Sequence, residues 1–144
     1  SAVAVSGTNT TSEEILATIP IPKNFLARNG TIEVDTQWTT SAANAKTFNF
    51  RLGTTGVAST SLASKAITTE PTFRLSLSTA NRNGDATQAS MLTFLGATSS
   101  TFSSGTTAIA TSADLNLYIT SLKATGTDTV TLERYTVRLI GGAA

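Results

Sequence analysis

The sequence predicts an all-β fold: a two-sheet antiparallel β-sandwich of jelly-roll type, with about eight to ten strands. Three observations carry this. Apolar and polar residues alternate with period 2 in several separate segments, as half-buried strands require. Turn-forming clusters of Gly, Asn, Asp, Ser and Thr punctuate those segments at short intervals. No segment carries the apolar stripe of an amphipathic helix. Two sheets with one apolar face each bury those faces against one another, about 10 Å apart.

The stretch Gly30 to Gly53 shows the pattern most cleanly. Ile32, Val34, Thr36 and Trp38 point one way, and Glu33, Asp35 and Gln37 the other. Phe48, Phe50 and Leu52 repeat the alternation against Asn49 and Arg51, and Thr39 to Ala45 is small and polar. The reading is a central hairpin.

Upstream, Ala2 to Val5 can add a short strand, and Glu13 to Ile21 is an apolar run closed by Pro20 and Pro22. Proline has no N–H for a ladder, so this segment belongs at a sheet edge or bends there. Lys23 to Asn29 suits one helical turn, with Phe25 and Leu26 covering an open end of the core. Asn29-Gly30 then turns the chain, both residues tolerating positive φ.

Downstream, Thr54 to Thr69 is weakly patterned, which suits an irregular or edge strand. Pro71 to Thr79 places Phe73, Leu75 and Leu77 inward. Asn81 to Asp85 is the strongest turn signal, and Ala86 to Gly96 is its partner strand, apolar on both faces at Met91, Leu92, Phe94 and Leu95. Ala97 to Gly105 reads as a Ser/Thr loop with a lone Phe102, followed by a short Ala108 to Ala110 segment. Leu115, Leu117 and Ile119 alternate with Asn116, Tyr118 and Thr120. In the last strand Val130 and Leu132 fall out of phase with Tyr135, Val137 and Leu139. A β-bulge at Glu133-Arg134 produces such a slip, and a bent strand of this kind can serve two sheets.

A chain of 144 residues fits one domain, 1–144, with 1–12 as an N-terminal arm; it buries roughly two-thirds of its unfolded surface without staples. Only 13% of residues are charged, the net charge is +1, and Ser and Thr make up roughly a third of the chain. A surface rich in hydroxyls and poor in charge has no field to steer a polyanion, so nucleic acid is not an expected partner. There is no Cys and no His, which removes disulfides, thiolate metal sites and every Ser-His or Cys-His nucleophile pair. No stretch approaches about 18 consecutive apolar residues, so membrane insertion is not expected.

Each remaining candidate site has a plainer reading beside it. Glu33 and Asp35 could place carboxylates about 7 Å apart, within glycosidase range, but nothing buries either to raise its pKa, and a solvated strand face is favoured. Asn81 to Asp85 resembles a calcium loop only loosely, lacking the repeated acids and distal Glu, so a plain turn is favoured. The Gly53 to Gly56 motif lacks the lysine and helix of a phosphate loop. Trp38 reads as core rather than as a sugar-stacking platform. Tyr118 is placed on an outer face, and with Arg134 and Arg138 it forms the candidate set for an interface or glycan contact; a solvated face fits the arginines equally. No catalytic, cofactor-binding or metal residue is expected.

Three runs carry a family likeness: T-S-E-E-I-L-A-T-I-P-I-P from Thr11, N-G-T-I-E-V-D-T-Q-W-T-T-S-A-A-N-A-K-T-F-N-F-R-L-G from Asn29, and D-T-V-T-L-E-R-Y-T-V-R-L-I from Asp128. Together they resemble a small β-sandwich domain of tailed-bacteriophage and prophage virion proteins, found at the ends of tail fibres and tailspikes and as surface domains. The resemblance spans about Thr11 to Ile140 and includes no catalytic signature. It implies a non-enzymatic jelly roll on the virion surface, commonly homotrimeric, serving trimerisation, attachment or decoration. Its partners would be itself, other virion proteins and, in a carbohydrate-binding role, host-surface glycans. An isolated terminal domain and a stand-alone virion protein both fit.

Overall fold

The computed structural model describes residues 4–84 and 86–142. Among them are ten strands: β1 (Val5–Ser6), β2 (Glu14–Ile21), β3 (Thr31–Thr40), β4 (Lys46–Gly53), β5 (Thr60–Ile67), β6 (Thr72–Asn81), β7 (Gln88–Gly96), β8 (Ser100–Thr107), β9 (Leu115–Lys123) and β10 (Val130–Ile140). One 3-10 turn, Gly56–Ala58, precedes β5. A six-stranded sheet has the order β1-β10-β3-β6-β7-β8, and a four-stranded sheet the order β2-β9-β4-β5.

Set aside the β7–β8 hairpin and the topology is a jelly roll. The other strands form nested antiparallel pairs, β1 with β10, β2 with β9, β3 with β6 and β4 with β5. A long hairpin rolled onto itself in this way places alternate pairs in opposite sheets. The segments with clean alternation form the strands expected of them, and β2 and β5 are sheet edges as their sequences require. The β10 register shifts between Leu132 and Arg134, which is the bulge expected at Glu133-Arg134.

The core is the interlocked inner faces of the two sheets. Trp38 and Phe50 are fully buried. Trp38 packs edge-on against Phe48 at 4.7 Å, and Phe73 lies 5.0 Å from Phe48 and 5.7 Å from Phe94. Each such pair adds about 0.5–1.5 kcal/mol beyond simple burial. The Trp38 indole N–H donates to Thr36 Oγ1 at 2.7 Å, and that hydroxyl donates to the Leu75 carbonyl at 2.9 Å. No polar group of this central trio is orphaned.

Several expectations are corrected. Gly30 to Gly53 is not a hairpin, because β3 and β4 lie in different sheets and face each other across the core through Trp38 and Phe48. Period-2 alternation is identical for strands side by side and strands face to face. The 41–45 connection arches over one end of the β-sandwich around Lys46, whose ammonium donates to the Ala43 and Asn44 carbonyls. Lys23 to Asn29 forms turns rather than a helix; Leu26 is buried there and Phe25 is exposed. Ala97 to Gly105 contains most of strand β8, whereas Ala108 to Ala110 is not a strand. β8 lies at the sheet edge with both faces open, so no apolar alternation marks it. β10 stays within one sheet despite its bulge. Of the expected strand Ala2 to Val5, only Val5 is in β1; residues 2 and 3 lie outside the described residues.

Candidate functional site

The outer face of the six-stranded sheet is a broad open surface with two adjoining depressions. Register fixes its layout in rows that run across five strands. One row is Arg134, Gln37, Arg74, Leu95 and Ser100; the next is Thr136, Asp35, Ser76, Thr93 and Phe102; the third is Arg138, Glu33, Ser78, Met91 and Ser104. The middle of the face carries short hydroxyl side chains on β6. Taller side chains stand on either side, and the result is a depression of about 320 Å³ lined by residues of β10, β3, β6 and β7. A second depression of about 520 Å³ adjoins it at Ser78 and Met91 and runs to Ser104, Gly105 and Thr106 on β8.

Four charged residues of this face form two ion pairs within the sheet. Arg74 donates to Asp35 at 2.7 Å, and Ser76 donates to the other Asp35 oxygen at 2.9 Å. Arg138 donates to Glu33 at 3.1 Å. Both pairs are well exposed to solvent. Glu33 and Asp35 therefore each have a guanidinium partner within the sheet. The β8 side of the face is apolar at its tips: Phe102 is 72% exposed, Leu95 53% and Met91 52%.

Of the three candidate residues, Arg134 and Arg138 lie on this face and are exposed. Tyr118 does not join them. It sits on the far side of the molecule, on the outer face of the four-stranded sheet, and is only 6% exposed. The 54–59 segment crosses that face, its 3-10 turn touching β2, β4 and β9, and the Tyr118 hydroxyl accepts a hydrogen bond from Asn116 at 3.3 Å. Pointing away from the core is not the same as reaching solvent when a connection lies across the sheet. Trp38 is in the core, as expected. Among the described residues no group of three or more His, Cys, Asp or Glu side chains could hold a metal ion. The suggested calcium loop includes Asp85, which lies outside the described residues.

Other carboxylates are engaged in holding the fold together. Glu13 takes a two-point contact from Arg51, at 2.8 Å on each oxygen, and accepts hydrogen bonds from Asn49 and Thr120. Burial pushes its pKa up, but the hydrogen bonds from Arg51, Thr120 and Asn49 together outweigh this and hold it below the ordinary value. Glu70 accepts from the Thr98 hydroxyl and from the Ala97 and Thr98 amides, which orders the β7–β8 turn. The Thr98 hydroxyl is the largest influence lowering its pKa. Such carboxylates accept several donors that favour the charged form, which suits a structural role.

Met91, Leu95 and Phe102 form an exposed apolar surface that alternation alone does not single out. A signal was present: β7 is apolar in both phases, so one phase had to face outward.

No protein-family model matches the chain, and no curated protein matches it. Similar solved structures include the CBM2 module of the Lactobacillus casei BL23 phage J-1 evolved Dit, with a TM-score of 0.48 and 11% identity over 88% of this chain and 70% of that one. Alginate lyase A1-II′ of polysaccharide lyase family 7 has a TM-score of 0.39 and 10% identity over 85% of this chain and 66% of that one. The infectious bursal disease virus VP2 subviral particle gives 0.38 and 12%, over 99% of this chain and 31% of that one. None of these likenesses is close enough to transfer a role to this chain.

Proposed function

We propose that the chain is a non-enzymatic structural protein of a tailed-bacteriophage virion, a homotrimeric surface module of a tail fibre, tailspike or capsid decoration that serves trimerisation and attachment. The observation that carries this reading is the division of labour among polar groups. Carboxylates with lowered pKa are tied down by hydrogen-bond donors, while a broad, hydroxyl-rich sheet face stays open. Fixed interior polarity with an open contact face suits a protein that works by being held and by touching. The resemblance of the Thr11, Asn29 and Asp128 runs to phage virion domains supports the setting.

Immunogold labelling of purified particles tests the location, and sedimentation equilibrium tests the assembly. The expected results are label on the particle surface and a mass three times the 14.8 kDa chain. A monomer throughout the micromolar range would sink the trimer. Measured cleavage of capsular polysaccharide would sink the non-enzymatic reading. A second reading, a carbohydrate-binding module for host-surface glycans, is favoured by the depression on the six-stranded sheet. It no longer draws on Tyr118 or Trp38, both of which are buried.

A further inference from the structure

We propose that the outer face of the six-stranded sheet is a binding site for a neutral oligosaccharide laid across the strands, between the Asp35 and Glu33 rows and ending on Phe102. This rests on the attachment reading and gives it a surface and a ligand class.

Four features point to this ligand. First, dimensions: five strands span four inter-strand intervals, on the order of 19 Å, the reach of about four pyranose rings. The two adjoining depressions follow that direction from Arg138 to Ser104. Second, hydrogen bonding: Asp35 and Glu33 keep unused acceptor positions, and Arg74 and Arg138 keep unused N–H groups, beside the hydroxyls of Ser76 and Ser78. Paired acceptors and donors with mixed hydroxyls match vicinal diols, which both donate and accept. Their mutual pairing holds the side chains in place before a ligand arrives, so less freedom is lost on binding.

Third, stacking: Phe102 is the register partner of Thr93, which lines the depression. An aromatic ring 72% exposed at one end of the trough offers a platform for the C–H face of a sugar. Fourth, charge: each carboxylate in the trough already has its arginine, which leaves little net field to attract an ionic ligand. A protein partner fits less well. The central part of a protein interface is depleted of charge, whereas Glu33, Asp35 and Arg138 all line this trough.

The test is binding of the whole protein to an array of neutral tetra- to hexasaccharides built on glucose, galactose, mannose and N-acetylglucosamine, with sulfated and sialylated counterparts. Captured glycans are then titrated into labelled protein and followed by amide chemical shifts. Expected are capture of neutral glycans and shifts confined to β10, β3, β6, β7 and β8. F102A and D35N should each weaken binding about tenfold or more while near-ultraviolet circular dichroism stays unchanged. Y118F, on the opposite sheet, should bind like the parent protein.

Capture of acidic glycans alone, capture of none, or undiminished binding by both folded variants would overturn the inference. So would shifts of these strands with protein concentration alone, which would mean that a second copy covers the face. A protein found on particles that captures no neutral glycan defeats this inference and spares the virion reading. Glycan binding by a protein absent from particles does the reverse.

Discussion

Lys46 and Lys123 stand directly opposite each other across β4 and β9, and both side chains are only 1% exposed. Two buried like charges in register would be ruinous unless each had its own compensation. Lys46 Nζ lies 3.6 Å from Asp128 and donates to the Ala43 and Asn44 carbonyls. Lys123 Nζ lies 3.7 Å from Glu14 and donates to the Thr8 carbonyl. The pair thus fastens three separate connections to one end of the β-sandwich.

Acid should loosen that end. Burial raises the pKa of Glu14 and Asp128, but this is outweighed, for Glu14 by Thr8 and Lys123 and for Asp128 by Asn44, Lys46 and Ser41, so both lie below their ordinary values of 4.5 and 3.8. A depressed carboxylate contributes stability that is present above its unfolded pKa and lost as pH falls through the folded one. The thermal midpoint should therefore be level near neutrality and fall once pH drops below the ordinary carboxylate range. A midpoint that rises on acidification would contradict this; scanning calorimetry from neutral pH to pH 3 is the measurement.

Removing one member of a buried pair should cost more than removing both. K46M leaves the Asp128 carboxylate without its cation and should destabilise by about 3 kcal/mol. The double variant K46M/D128N should recover part of the loss. Urea unfolding of the four proteins of the cycle checks the sign of the coupling.

Two glycines are required by close approach. A Cβ on Gly30 would lie 2.0 Å from the Leu26 carbonyl oxygen, and one on Gly142 would lie 2.1 Å from that of Arg28. G30A and G142A should each destabilise by about 1–3 kcal/mol. G105A is the control, because nothing lies within 4 Å of its added carbon; its denaturant midpoint should stay close to the parent's.

The exposed pairs Arg74–Asp35 and Arg138–Glu33 should matter little for stability. Solvent screening limits each to at most about 1 kcal/mol, and a double-mutant cycle should shrink further in high salt. A much larger coupling would mean that the face is covered in solution.

Much of the fold is legible in the residues because burial on one side forces alternation, as in Phe73 to Leu77 and Leu115 to Ile119. The bulge in β10 is legible for the same reason, through its phase slip. What alternation cannot encode is which sheet a strand joins, so the arch between Trp38 and Phe48 reads as a hairpin. It is also silent where both sides are wet, and β8 reads as a loop. The candidate surface is half visible: Glu33, Asp35, Arg134 and Arg138 alternate outward in plain sight. Phe102 gains meaning only from register, as the neighbour of Thr93. Tyr118 misleads because a connection distant in sequence, 54–59, packs against its strand on the outer side of the sheet.

The nested pairing also sets a timetable. β9 lies between β2 and β4, and β10 between β1 and β3, so the two latest of the ten strands to be synthesised occupy interior places in both sheets. Until they arrive, β2 and β1 have no neighbour to pair with, and β3 and β4 each lack one of their two ladder partners. Closing contacts so remote in sequence is slow, and completion is postponed until synthesis has passed Ile140. A chain truncated after Lys123 is expected to remain unfolded by amide hydrogen exchange; native-like protection in it would show that the roll can close without its final strand.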